Sequence, residues 1–256
     1  MSFLPDIVWL NCSPALRRFD QPLLKYLAQE RALVQWDYCQ TIDEPNSLEV
    51  GLALLHHYLQ SHTEPVHLVG HSTSGLLGLL YARQYPERVQ SLTLLSVGFY
   101  PALDWQAHYY SQINLLRCSR YFLLSHIAHN LIDCHSLSQT QAMVKILEED
   151  LLTSLSPHTL YQQLVILPKS VPVPLLVAAG EEDMVIAVSN LFEGWQQWCK
   201  SGDRLWLCPQ GKYFFHYENP ERVATQIQAF WRSLAQPQSR EASPPFPTVV
   251  RPVGRP

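Results

Sequence analysis

No apolar run in this chain approaches the ~20 residues that a membrane-spanning helix needs, so no span is expected. No C-x-x-C pair occurs among the cysteines at 12, 39, 118, 134, 199 and 208. That spacing argues against a redox or zinc motif and for free thiols in a cytoplasmic setting. Basic excess is absent too: 18 Lys and Arg stand against 22 Asp and Glu, a net charge of -4, and no nucleic-acid partner is expected. The opening residues Met1 to Asp6 hold no Lys or Arg and carry an early Pro5 and Asp6, so no signal peptide is expected. His126, His129, Cys134 and His135 cluster in sequence but lack a metal-ligand spacing, so they are read as structural or pocket-lining, with no metal and no cofactor.

What is present is enough apolar residue, 47% of 256, for one sizeable core or a core with a small accessory domain. Ile7 to Leu10 reads as a short buried strand ending in the turn Asn11-Cys12-Ser13-Pro14. A helix is expected over 18–30 and a second strand over 32–36, closed by Asp37. Asn46, with Glu49 three residues on, reads as the N-cap of a helix carrying Leu48, Leu52, Leu55 and Leu59. A third strand covers 66–70, its helix stops at Pro86, and a fourth strand runs from Val89 to Ser96. This alternation predicts an α/β fold, a mostly parallel sheet of about six strands with helices on both faces.

The rhythm breaks over 99–170, where apolar residues recur at helical spacing, as at Leu123, Ile127 and Leu131. This is a helical insertion, and its aromatics (Trp105, Tyr109, Tyr121 and Phe122 among them) are expected mostly in the core where it meets the sheet. A strand over 173–180 follows, with Glu181-Glu182-Asp183 beyond its end, then a helix near 186–199 and a strand over 204–208. The core is thus expected over 1–98 and 171–235. Residues 236–256 hold six prolines and no apolar periodicity, the composition of a disordered tail.

The chemistry centres on Gly70-His71-Ser72-Thr73-Ser74-Gly75, set between strand and helix. A serine at such a turn is thrust clear of the sheet beside a helix N-terminus, where backbone N–H groups favour a developing negative charge. With Gly180 to Val185 and Phe214 to Glu221, this stretch resembles the α/β-hydrolase family over about residues 6–235. The resemblance implies Ser72 as nucleophile, Asp183 as orienting acid and the N–H groups of Thr73 and Ser13 as oxyanion donors. It also implies that the 99–170 insertion is the family's cap. The chain departs from the family at the base. Anchored on Gly211, the histidine slot holds Lys212; anchored on Glu218-Asn219-Pro220, it holds Tyr213. His216, further along the loop, is the provisional base.

Two functions follow as expectations. One is a serine hydrolase of a small ester, thioester or related acyl substrate, from which C–C cleavage by the same residues is not separable. The other is a non-catalytic member binding a ligand or a protein partner. The family's two N-terminal strands are missing here, so an exposed sheet edge is expected, and that edge or the Pro-rich tail could take the partner.

Overall fold

The computed structural model describes residues 5–40, 43–44, 46–98, 103–158, 166–167, 169–186, 191–235 and 248–250. Six strands form where the apolar runs predict them: β1 (Ile7–Asn11), β2 (Leu33–Asp37), β3 (Val66–His71), β4 (Val89–Leu95), β5 (Leu175–Gly180) and β6 (Arg204–Cys208). All pair in parallel, in the order β2-β1-β3-β4-β5-β6. A short β7 (Thr248–Val250) adds to the far side of β6. The tail expected to be disordered therefore contributes one strand. Its Thr-Val-Val is β-branched and covers backbone groups that β6 would otherwise leave open. Residues 236–247 and 251–256 of that tail lie outside the described residues.

Strand alternation splits the core in two. Val8, Leu10, Leu68, Leu92, Val177 and Leu205 face one layer, whereas Ile7, Trp9, Val69, Leu176 and Trp206 face the other. The first layer is covered by α2 (Leu48–Gln60) and α3 (Ser72–Gln84) through Leu55, Leu59, Leu76 and Leu77. The second is covered by α1 (Gln21–Leu27) and by α9 (Pro220–Ala235), which presents Val223, Ile227, Phe230 and Trp231. Because every strand is parallel, Asn11, His71, Gly180 and Cys208 all end at the same edge of the sheet. Reactive groups collect there in such sheets.

Between β4 and β5 lie α4 (Trp105–Leu115), α5 (Arg120–Leu131) and α6 (Leu137–Thr153), and α7 (Leu191–Gln196) follows β5. Asp104, Ser119 and Ser136 cap them, each side chain accepting from the backbone N–H three residues on. Leu123, Ile127 and Leu131 are buried as their spacing predicts, together with Trp105 and Tyr109. Tyr121 and Phe122 are not. The inward face of α5 is set by Leu123, Leu124, Ile127 and Leu131, which turns the two aromatics outward. Phe99 and Tyr100 lie outside the described residues.

Two further local expectations change. The 18–30 helix is a 3-10 turn over Pro14–Phe19 followed by α1, the break falling at Asp20. Ser47, not Asn46, precedes α2. The Asn46 amide instead bonds both backbone groups of Ser156, tying the start of α2 to the segment after α6.

Candidate active site

Ser72 sits between the end of β3 and the first turn of α3 at φ 53, a left-handed conformation that a non-glycine residue adopts at a cost. Two glycines make room for this turn. A Cβ on Gly70 would lie 2.6 Å from the Gly75 nitrogen, and one on Gly75 would lie 2.7 Å from the Gly70 carbonyl oxygen. Neither contact is tolerable, so the crossing of strand and helix requires glycine at both. Ser74 stands between them, and its hydroxyl accepts from the Cys12 N–H at 2.9 Å.

That bond belongs to a wider occupation of the oxyanion loop. The Ser13 N–H, the expected donor, points to Asn11 Oδ1 at 3.1 Å, and the Asn11 amide is held in turn by Asp37 at 2.6 Å. The Thr73 hydroxyl donates to Asp104 at 2.8 Å, as does Ser156 at 2.8 Å. The Cys12 and Ser13 amides of this loop are thus already bonded to side chains of this chain.

The base slot holds Tyr213. This residue is fully buried, and its hydroxyl donates to Ser72 Oγ. Burial, with the nearby carboxylates of Asp104 and Asp183, raises the phenol well above its ordinary 10. Tyr213 therefore stays neutral at physiological pH and donates to Ser72 rather than taking its proton. Its backbone carbonyl accepts from His71 Nε2 and from Ser96 Oγ, both at 3.0 Å, which locks the loop against the sheet. With Nε2 carrying its hydrogen, His71 is a neutral imidazole. Burial and the neighbouring His216 ring push it down to about 3.

His216, expected as the base, is directed to Asp20 instead. Its Nε2 pairs with Asp20 Oδ1 at 3.0 Å, its Nδ1 is buried without a partner, and it is not among the residues that line the space over Ser72. The structure thus does not bring His216, the provisional base, to Ser72. The short α8 (Phe215–Glu218) sets it beside Trp9, whose indole donates to the second Asp20 oxygen at 3.0 Å. Burial lowers His216 to about 3 and raises Asp20 to about 7, so the pair is held close to neutral. Asp20→Ala would strand a buried imidazole and an indole N–H. It is expected to cost about 2–4 kcal/mol in a urea titration, whereas Asp20→Asn, which can still bond both, costs about 1 kcal/mol or less. Equal losses in the two variants would refute this account.

Asp183 lies just past β5. Its Oδ1 accepts from the Val185 and Ile186 N–H groups at 2.9 and 3.2 Å, and its Oδ2 is buried with no partner. Burial raises its carboxyl to about 6, opposed by those two amides. A carboxyl raised in the folded state stabilises the fold at low pH, and that contribution is lost as pH climbs through about 6. Wild type should therefore gain about 2 kcal/mol relative to Asp183→Asn between pH 7.5 and 4.5, read by parallel denaturant titrations. Identical pH slopes would contradict a raised Asp183.

The space over Ser72 is about 20 Å³, bounded by Asn11, Asp20, His71, Tyr213 and, from the insertion, Trp105 and Asp150. That admits about one water, not an acyl chain. Asp150 closes the roof, bonded by the Trp105 indole at 2.7 Å and by Gln106 and Ser154. Among the described residues no group of three His, Cys, Asp or Glu side chains could hold a metal ion. His129 is taken up by Thr140 at 3.3 Å.

Of the residues singled out in the sequence, the structure brings Tyr213 onto Ser72 and Asp183 near that phenol, and leaves His216 on Asp20. Sequence reasoning missed Asp20, which no motif marks, and Asp104, whose place just before α4 was a readable cap signal.

Comparison with known proteins adds to this geometry. A family model described as serine aminopeptidase, S33, matches residues 50–196. An uncharacterized protein of Synechocystis sp. is 65% identical over 237 residues, 93% of each chain. Another from Nostoc sp. is 37% identical over 228 residues, 89% of this chain and 90% of that one. Among solved structures, a carboxylesterase from Bacillus subtilis has TM-score 0.68 at 16% identity, covering 91% of this chain and 85% of its own. A meta-cleavage product hydrolase from Pseudomonas fluorescens has TM-score 0.68 at 14% identity, covering 89% and 90%. At these identities the two structures share the fold.

Proposed function

This chain belongs to the α/β-hydrolase family, and on that footing we propose that it is a binding member of it, holding a ligand or protein partner on the hydrolase scaffold without turnover at Ser72. The observation that carries this reading is the Tyr213 hydroxyl donating to Ser72 Oγ where a base would have to accept. A neutral, buried phenol cannot remove the serine proton near pH 7. The cavity of about 20 Å³ favours a partner at the surface over one seated on Ser72. The outer edge of β2, which no strand covers among the described residues, is one such surface.

The test is labelling of the full chain with a fluorophosphonate probe, the adduct located by mass spectrometry. No label at Ser72 and no cleavage of short acyl esters are expected. Label at Ser72 that vanishes in Ser72→Ala overturns the proposal. A second reading has one observation in its favour, the strained elbow kept at Ser72 with Asp183 in the acid loop. It is a serine hydrolase of a small ester or thioester, with Ser72 as nucleophile, Asp183 as acid and His216 as base, the Ser13 and Thr73 amides serving the oxyanion. It requires His216 to leave Asp20, and its signature is Ser72 labelling lost in both Ser72→Ala and His216→Ala.

A further inference from the structure

The corner between α4 and α5 is exposed without interruption from Leu115 to Phe122. Four of these eight residues are large and apolar: Leu115 is 80% exposed, Phe122 66%, Tyr121 51% and Leu116 47%. The expectation that such aromatics sit in the core fails here, because α5 already fills its inward face with Leu123, Leu124 and Ile127. Arg117 and Arg120 stand between the apolar groups. Arg120 reaches only Glu148, at 3.9 Å and in solvent, a contact of little worth. From Trp105 to Ile132 the chain has no Asp or Glu at all, within a protein of net charge -4.

We propose that this corner docks the protein on an anionic lipid surface. The residues joining the two helix ends leave their leucines and aromatics in solvent. A bilayer interface takes up protruding side chains without needing a complementary pocket. Leu and Phe enter the acyl boundary, Tyr121 sits at the headgroup level, and the arginines face acidic headgroups. The absence of acid from 105–132 favours a negative surface, although Glu148 lies beside Arg120 and the whole molecule is acidic. No described helix is long and apolar enough to cross a membrane, so the contact is superficial. This inference goes beyond the proposed binding function and does not depend on it.

The experiment is co-sedimentation of the full chain with vesicles of phosphatidylcholine alone or with phosphatidylglycerol. Binding is expected to the anionic vesicles, weakening as salt rises. Arg117→Gln with Arg120→Gln should weaken it about 25-fold, roughly fivefold for each arginine. Leu115→Ser with Phe122→Ser should weaken it by about tenfold or more. These side chains are already in solvent, so the melting temperature of each variant should match wild type. Absence of sedimentation with anionic vesicles overturns the proposal, as does sedimentation that neither pair of substitutions changes. A dimer that Leu115→Ser with Phe122→Ser dissolves, in a protein that ignores vesicles, assigns the corner to a second copy of the chain instead.

Discussion

Tyr213→His is expected to raise fluorophosphonate labelling of Ser72 by about 10²-fold over wild type. The phenol it removes touches Ser72 Oγ directly, so an imidazole in its place starts within reach of the serine proton. Its unperturbed pKa of about 6.5 suits a base at neutral pH, where a phenol well above 10 does not. A second partner is already present. Asp183 Oδ2 is buried without a hydrogen bond, and the carboxylate is close enough to Tyr213 to raise its pKa. An imidazole N–H would satisfy that oxygen and fix the ring. The gain is set at the low end of the range for a positioned base because the Ser13 and Cys12 amides remain tied to Asn11 and Ser74. Tyr213→Phe separates the two effects. It frees Ser72 of the phenol but supplies no base, and its labelling should stay at the wild-type level. If Tyr213→His labels no better than Tyr213→Phe while both fold, the base is not what the site lacks.

The same residues show how far the sequence reaches. Period and punctuation sufficed for β1 to β6, since buried parallel strands are short apolar runs bounded by turns. The elbow was legible because its glycines answer to a backbone crossing within six residues of chain. What was not legible depends on contacts across the fold. His216 and Asp20 are 196 residues apart, and the packing of α8 against α1, which Asp20 precedes, brings them together. Until that pair is seen, a histidine in the base loop has no competing partner. Tyr121 and Phe122 fail for a related reason. Helical spacing identifies a stripe, but four aliphatic residues were enough to fill it, and the aromatics were displaced outward. Asn46 carried a true cap signature, yet the better partner for its amide was the backbone of Ser156.

Gly180→Ala tests the joint on which the acid and base loops depend. It is expected to destabilise the fold by about 3 kcal/mol or more and to lower the melting temperature by roughly 6–12 °C. Gly180 ends β5, three residues before Asp183. There the loop after β6 crosses it so closely that an added Cβ would lie 2.1 Å from the Gly211 carbonyl oxygen and 2.4 Å from that of Lys212. Both obstacles are backbone, so no rotamer change relieves them. The crossing cannot simply open, because the Glu181 N–H donates to Cys208 at 2.9 Å and the Glu182 N–H to Gly211 at 2.8 Å. Pushing the loops apart would break those bonds and shift Tyr213, which follows Gly211 by two residues. Gly202 is the control: at φ 90 it is strained for alanine, but nothing lies within 4 Å of its Cβ position, so Gly202→Ala should cost about 1–2 kcal/mol. Equal melting temperatures for the two variants would mean that the loops yield freely, and that the position of Tyr213 over Ser72 is not fixed by this crossing.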